Sequence, residues 1–290
     1  MNWTIEKTSE ITTTFRIKYR PNKEWEQWFL IGSDAHIDNP HCMQSLKRHH
    51  MNQAVEKGAG IIELGDTLDA MQGKHDRRGS KADLIPELQV DNYWDALADY
   101  GVDFFMPYKD HMAFYGYGNH ETAARKHAET DPLASMVRDL RREGSPAILG
   151  GYRGWFRFLF EREDGHGGRQ SKRGYFNHGS GGGGPVTKGV IKTNRRAVFV
   201  PDADFVFSGH IHESWIVEMQ RLRLLDSGRE VNETQYHVQL PTYKEEMANI
   251  AEGFHVEREA PPKPLGGWWI RFYYSTRTKK VETQFLRTEQ

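Results

Sequence analysis

The chain is built from short apolar runs that end on polar, ligand-type residues, separated by segments with helical spacing. Trp28-Phe29-Leu30-Ile31 is a continuous apolar run of the length of a buried parallel strand, and it stops at Gly32-Ser33-Asp34-Ala35-His36. Residues 42–57, apolar at Met43, Leu46, Met51, Ala54 and Val55, read as a helix closed by Gly58. Gly60-Ile61-Ile62-Glu63-Leu64 is the next strand and ends at Gly65-Asp66-Thr67-Leu68-Asp69. This strand, helix, strand unit carries carboxylates past both strand ends, where open α/β sheets place their ligands. After a polar loop from Gly73 to Lys81, the pattern predicts a helix over about 91–100, with room for another turn or two before Lys109. A strand at 112–117 follows and delivers Gly118-Asn119-His120-Glu121, then a helix over 132–142 with Pro132 in its first turn.

From Ala147 the period becomes that of β structure. Trp155 to Phe160, a turn at 164–168 and Gly174 to Asn177 form an expected hairpin that stops at His178. The glycine-rich loop Gly179 to Gly184 and Pro185 precede a predicted helix over about 187–198, on which Lys188, Lys192, Arg195 and Arg196 share one basic face. Phe205-Val206-Phe207-Ser208 is a further buried run, ending at Gly209-His210-Ile211-His212. Residues 214–240 and 268–287 alternate as antiparallel strands do, and the segment between them, about 241–267, is long enough to suggest a functional loop. Residues 1–26 alternate loosely at Phe15, Ile17 and Tyr19 and are expected to form an N-terminal arm or edge strand. The expected organisation is a single α/β domain over 27–290, closed by the C-terminal antiparallel strands of 214–290.

Composition narrows this picture. At 290 residues with 37% apolar content the chain can bury a sizeable core, and 39 basic against 40 acidic residues make it no polycation as a whole. Cys42 is the single cysteine, which excludes an internal disulfide framework and a thiolate zinc cluster and suits a reducing compartment. No window approaches the roughly 20 apolar residues of a membrane span, and the polar N-terminus lacks the apolar stretch of a leader, so a cytoplasmic protein without a membrane partner is expected. Fourteen histidines direct attention to metal ligation.

Taken singly, each ligand-type residue has an ordinary explanation: an Asp after a strand usually caps a helix or makes a turn, and a lone His is usually solvated. His127 in a polar segment and His166 in a hairpin turn fit that reading. The ordered set is harder to dismiss. Asp34-x-His36, Gly65-Asp66-x-x-Asp69, Gly118-Asn119-His120-Glu121, the strand-terminal His178 and Gly209-His210-x-His212 rarely arise together by chance, and they predict five strand ends converging on one two-metal site.

This set, spread over residues 34–212, resembles the calcineurin-like metallophosphoesterase superfamily. The resemblance implies a sandwich of two mixed sheets flanked by helices, with a dinuclear metal centre at the strand ends. It implies that Asp34, His36, Asp66 and His212 hold one ion and that Asp66, Asn119, His178 and His210 hold the other, with Asp66 bridging. It further implies that His120 is the catalytic histidine, binding the phosphoryl group or protonating the leaving oxygen, and that Asp69 orients it. Glu121 would be either an acceptor behind the ligands or a surface carboxylate. Oxygen and imidazole donors without thiolate suit two divalent ions, manganese foremost, with iron or zinc as alternatives. Four positive charges against the two of Asp34 and Asp66 leave a cationic site, which favours a phosphate ester attacked by a metal-bound hydroxide.

The expected activity is that of a phosphodiesterase acting on a nucleic acid or nucleotide. Between Arg138 and Arg196 there are 13 Lys/Arg against 5 Asp/Glu, and Gly181, Gly182, Lys188 and Lys192 are candidate substrate contacts near His178. Tyr115, Tyr117 and Trp215 are candidates for base stacking, although strand aromatics are more often core. A phosphomonoesterase acting on a phosphoprotein or small metabolite is the alternative. Protein phosphatases of the family continue the second motif with arginine and glycine, whereas Ala70-Met71 follow Asp69 here. Glu121 points the other way, being common in those phosphatases where repair-type nucleases more often carry Asp. A non-catalytic interaction module is a remote third reading, since every expected ligand type is present.

Overall fold

Two sheets face each other across an aromatic core. The computed structural model describes residues 1–72, 84–166, 168–182, 184, 186–251 and 254–289; the expected polar loop from Gly73 to Lys81 lies outside them, as do Gly183 and Pro185. The chain opens with a hairpin, β1 (Trp3–Ser9) and β2 (Thr12–Tyr19), and then runs β3 (Glu26–Gly32), α1 (Gln44–Glu56), β4 (Gly60–Leu64), α2 (Tyr93–Phe105) and β5 (Met112–Gly116). Next come α3 (Asn119–His127), α4 (Pro132–Arg142), β6 (Ile148–Leu149), β7 (Arg153–Arg162), β8 (Gln170–Asn177), α5 (Ile191–Phe199) and β9 (Phe205–Ser208). The C-terminal part is β10 (Trp215–Leu224), β11 (Glu230–Gln239), α6 (Phe254–Glu257), β12 (Trp268–Ser275) and β13 (Lys280–Arg287).

The six-stranded sheet has the order β13-β12-β3-β4-β5-β6, and the seven-stranded sheet β1-β2-β7-β8-β9-β11-β10. Within the first, β3, β4 and β5 are parallel; within the second, β8, β9 and β11 are parallel. Five ligand-bearing strand ends therefore point to one edge of the sandwich. The expected two-sheet α/β architecture is the one observed, and α4 spans the predicted 132–142, with the Asp131 carboxylate capping the Ala134 N–H at 2.9 Å.

The core explains why these strands read as they do. On β7, Phe156, Phe158 and Phe160 point inward while Arg153 is exposed, and Phe158 meets Phe15, Phe29 and Phe272 at centroid distances of 4.9, 5.5 and 5.0 Å. Each such ring pair adds about 0.5–1.5 kcal/mol beyond the area it buries. β4 is buried along its whole length, since Ile62 and Leu64 face the aromatic core and Ile61 faces the helices, which is why it reads as a continuous apolar run. Beneath α1 lies a buried ion pair, Lys47 to Glu63 at 2.7 Å, with the ammonium 4.3 Å from the Tyr243 ring centroid.

Two expectations change, and a third is filled out. Residues 1–26 are not merely an arm: β1 is an edge strand, but β2 pairs in parallel with β7 and lies inside the sheet. The helix expected from about 91 takes up the further turn allowed before Lys109 and runs to Phe105, because Phe104 and Phe105 extend its buried face. The helix expected over 187–198 begins only at Ile191; Lys188 sits in the preceding turn with φ of 44°. Among the described residues, no helix is long and apolar enough to cross a membrane.

Candidate metal centre

The loops that leave β3, β4, β8, β9 and β11 continue to hydrogen-bond with one another after the strands end. Asp34 N–H donates to the Gly65 carbonyl at 2.9 Å, His36 N–H to that of Asp66 at 3.1 Å, Gly209 N–H to that of His178 at 2.8 Å, and Tyr243 N–H to that of Asp34 at 3.1 Å. The backbone is thus satisfied while the side chains are turned inward. The turning is done by left-handed residues: Asp34, His36, Asp66, His210 and His212 all have positive φ, between 47° and 73°. Such a conformation costs a non-glycine residue free energy, and it recurs here at five ligand-type positions in one cluster, which makes the cluster the candidate site.

Close approach is secured by two glycines. A Cβ on Gly118 would lie 2.1 Å from Asp66 Oδ1 and 2.4 Å from the Asp66 nitrogen; one on Gly209 would lie 2.0 Å from Ser33 Oγ and 2.5 Å from Asp34 Oδ2. Neither position admits a side chain unless its neighbours shift, the side chain and backbone of Asp66 at Gly118 and the Ser33 and Asp34 side chains at Gly209.

Three overlapping groups of donors result, each with its atoms within 4.8 Å of one another: Asp34, His36 and His212; His36, Asp66 and His120; and Asp66, His178 and His210. Asn119 joins the last, its Oδ1 lying 2.6 Å from His210 Nδ1 and 3.2 Å from His178 Nε2. Asp34 and Asp66 are fully buried. Burial opposes their ionisation, yet His178 and His212 hold Asp34 at about 2, and His178 and His120 hold Asp66 well below the usual carboxylate range. In return, and against burial, His178 is pushed up to about 10 and His212 to about 9. Burial pushes His36 and His210 down. The two carboxylates therefore draw positive charge into the cluster.

The donor set fits divalent ions on a further count. Both ring nitrogens of His36 are buried and lack a well-formed hydrogen bond among the described residues, although Nδ1 lies 2.8 Å from Asp69 Oδ1. A buried nitrogen left this way costs about 1–3 kcal/mol unless something else binds it. His178 is prepared similarly: its Nδ1 meets the Leu64 carbonyl at 2.9 Å, so its Nε2, 3.1 Å from Asp66 Oδ2, faces the cluster.

His120 lies beside this cluster, with Nε2 3.8 Å from Asp66 Oδ2 and Nδ1 2.6 Å from the Asp69 carbonyl oxygen. Asp69 therefore reaches His120 mainly through its backbone. Its carboxylate is 3.5 Å from His120 Nδ1 but only 2.8 Å from His36 Nδ1. Glu121 is fully buried and accepts the N–H groups of Asp66 (3.0 Å), Gly118 (2.8 Å) and Leu68 (3.1 Å), tying the β4 turn to the start of α3. Burial and the neighbouring Asp66 push its carboxyl up to about 8 against those donors. Of the two readings open for Glu121, the surface carboxylate is excluded.

The remaining candidates lie elsewhere. His127 and His166 are exposed. Tyr115 is fully buried and Tyr117, 6% exposed, donates to Asp131 at 2.6 Å, so neither is available for stacking; the Trp215 indole donates to the Lys188 carbonyl at 3.0 Å. Gly181 and Gly182 are exposed, on the same loop as Gly179, which packs against His210. The expected basic face does not form. Lys188 is in the turn, Lys192 donates to the Ser180 carbonyl, Arg196 turns inward to Ser208 Oγ at 2.7 Å, and Arg195 alone of the four is an exposed helical cation.

Several residues were invisible to motif reading. Asp38 accepts the Asp69 and Ala70 N–H groups at 2.5 and 3.0 Å, and Asn39 Nδ2 donates to Asp69 Oδ2 at 2.7 Å. Both follow the Asp-x-His pair by a few residues. From the segment after β11, Thr242 Oγ1 donates to the Asp34 carbonyl at 2.7 Å and Glu246 Oε2 lies 3.7 Å from His212 Nδ1. The usable signal was that β11, too, ends at this edge.

In the order of its ligand-type residues and in its two-sheet architecture, the chain resembles the calcineurin-like metallophosphoesterase superfamily. The sequence matches no family profile and no curated protein. Similar solved structures include GAP50, the anchor in the inner membrane complex of Plasmodium (11% identity over 91% of this chain and 90% of that one, TM-score 0.41). Others are the calcineurin-like phosphoesterase YfkN from Bacillus subtilis (11% identity, 90% of each chain, TM-score 0.36) and Vps29 complexed with zinc from Entamoeba histolytica (7% identity, 90% and 99%, TM-score 0.34). Likenesses this distant carry no functional weight; the residues of the site have to supply it.

Proposed function

We propose that this protein is a dinuclear metal-dependent phosphoesterase, with Asp34, His36, Asp66 and His212 as ligands of one ion and Asp66, Asn119, His178 and His210 as ligands of the other. The observation that carries this reading is the set of three overlapping donor groups, linked through His36 and Asp66, at the shared edge of two sheets. Manganese is the proposed ion, with iron or zinc compatible with the same donors. Two divalent ions would supply Lewis-acid stabilisation of phosphoryl charge and activation of water.

The protein's own part is positioning and proton transfer. Asp34 and Asp66 are fixed by backbone hydrogen bonds, Asp34 accepting the His210 N–H at 2.9 Å and Asp66 the His120 N–H at 2.9 Å. With Nδ1–H donated to the Asp69 carbonyl, His120 turns Nε2 toward the cluster, from which the imidazolium form gives its Nε2 proton to the leaving oxygen and is left as the neutral ring. Asp69, held by Asn39 and by the N–H contact to Asp38, keeps both His36 and His120 in place.

Within this class we favour a phosphodiester of a nucleic acid or nucleotide as substrate. The support is the exposed backbone of Gly181 and Gly182 on the loop beside His210, with Arg195 on the helix that comes after it. The engagement of Lys192 and Arg196 in internal contacts favours the second reading, a phosphomonoesterase, because it removes two of the cations that would track a polymer backbone. The test compares bis(p-nitrophenyl) phosphate, p-nitrophenyl phosphate and single-stranded DNA in the presence of manganese. Preference for the diesters supports the first reading and preference for the monoester the second. Unchanged activity in both Asp66→Asn and His210→Ala would remove the site itself.

A further inference from the structure

The imidazoles of the two ion positions are backed differently. His36 Nδ1 lies 2.8 Å from the Asp69 carboxylate and His212 Nδ1 lies 3.7 Å from that of Glu246. His178 Nδ1 instead meets a neutral carbonyl, that of Leu64, at 2.9 Å. One residue joins the two backing carboxylates: Lys244 Nζ is 3.8 Å from Asp69 Oδ1 and 3.4 Å from Glu246 Oε1. His255 adds a second restraint, its Nδ1 lying 2.6 Å from Glu246 Oε2. Lys244, Glu246 and His255 all come from the segment after β11, well beyond the last ligand-type motif. The segment is fastened to the histidine pair again further along, where Lys263 Nζ donates to Glu213 Oε1 at 2.8 Å and to the Ile211 carbonyl at 3.4 Å.

We propose that Lys244 and Glu246 are positioning residues that make the two ion positions unequal, so that the ion held by His36 and His212 is the tighter of the pair and its affinity is set from the C-terminal segment. This rests on the dinuclear reading of the site. A carboxylate set beside the outer nitrogen of a ligating imidazole favours a proton on that nitrogen and raises the basicity of the ring electrostatically, whereas a neutral carbonyl fixes orientation with a smaller gain in basicity. Asp69 and Glu246 act on the same ion because the imidazoles they back, His36 and His212, share one donor group with Asp34, and Lys244 lies between the two carboxylates.

The experiment is calorimetric titration of manganese into chelator-stripped protein, with the melting temperature of each ion-free variant as a check on folding. The wild type should bind two ions with separable affinities. Glu246→Gln, which keeps the shape and removes the charge, should weaken the tighter ion by about 10–100-fold and leave the other unchanged. His255→Gln, which frees the Glu246 carboxylate without removing it, should weaken the same ion by a smaller factor. In a His36→Ala background, where that position is already lost, Glu246→Gln should have no further effect. The inference is overturned if Glu246→Gln leaves both affinities unchanged, lowers both equally as a general structural role would, or weakens only the looser ion. A wild type that binds fewer than two ions overturns the dinuclear reading itself.

Discussion

Substituting Gly118 by alanine should abolish most activity while leaving the fold intact. An added Cβ would lie 2.1 Å from Asp66 Oδ1, whereas ordinary van der Waals contact begins at 3.4 Å. Relief therefore requires a displacement of about 1.3 Å, shared between Asp66 and the start of α3. Neither partner yields cheaply: the Asp66 N–H and the Gly118 N–H are both held by Glu121, so the turn and the helix move together or break that link. Overpacking of this kind costs about 1–3 kcal/mol, or a few degrees of melting temperature in a chain of this size. Its effect on catalysis is larger, because a misplacement of about 1 Å in a reacting group costs on the order of 100-fold in rate. The assay is manganese-dependent hydrolysis of bis(p-nitrophenyl) phosphate alongside thermal melts. Gly168→Ala, at a glycine with nothing within 4 Å of the added Cβ, is the control and should be neutral. A Gly118→Ala protein that melts a few degrees lower but hydrolyses at the wild-type rate would refute the argument that Asp66 stands at the centre of the chemistry.

The buried charges lead to two further outcomes. Lys47→Met strands Glu63 in the core without its partner and should cost about 3–5 kcal/mol in urea denaturation, most of which Glu63→Met should restore when added as a second change; equal loss in the single and double variants would contradict this. In the ion-free protein His178 and His212 are raised to about 10 and 9, so the stability they contribute is fully present below their unfolded value near 6.5 and is lost as pH rises through 9–10. The melting temperature of the ion-free protein should accordingly fall between pH 7 and 10, while that of the manganese-loaded protein, whose ligating imidazoles are neutral, should fall less; parallel pH profiles would count against these histidines facing the buried carboxylates.

Much of the architecture was legible because strand ends announce themselves. β3, β4 and β9 are apolar on both faces, so they read as continuous runs, and each terminates in residues that a core would not accept. Asp34, His36, Asp66, His210 and His212 lie just past such runs, and so one period and one rule for where α/β sheets bind ligands pointed to them. What the sequence did not disclose depends on contacts between distant segments. Glu246 and Lys244 sit in a long loop of ordinary composition, and only the parallel pairing of β11 with β9 places them behind His212. The interior position of β2 likewise depends on its pairing with β7, about 140 residues away. The basic helix failed for a related reason: helical spacing shows which side chains share a face but not whether the helix has begun, and the left-handed turn at Lys188 delays it. Asp69 shows the same limit at the scale of one side chain, since spacing fixes its neighbourhood while rotamer and backbone direction decide whether carboxylate or carbonyl meets His120.

If Asp66 joins two ions in one site, paramagnetic resonance of the manganese-loaded protein reads the pairing. At two equivalents of manganese the spectrum should be that of an exchange-coupled pair, which Asp66→Asn should convert to that of isolated ions or eliminate. A six-line spectrum of independent ions in the wild type, or no bound manganese at all, would contradict it.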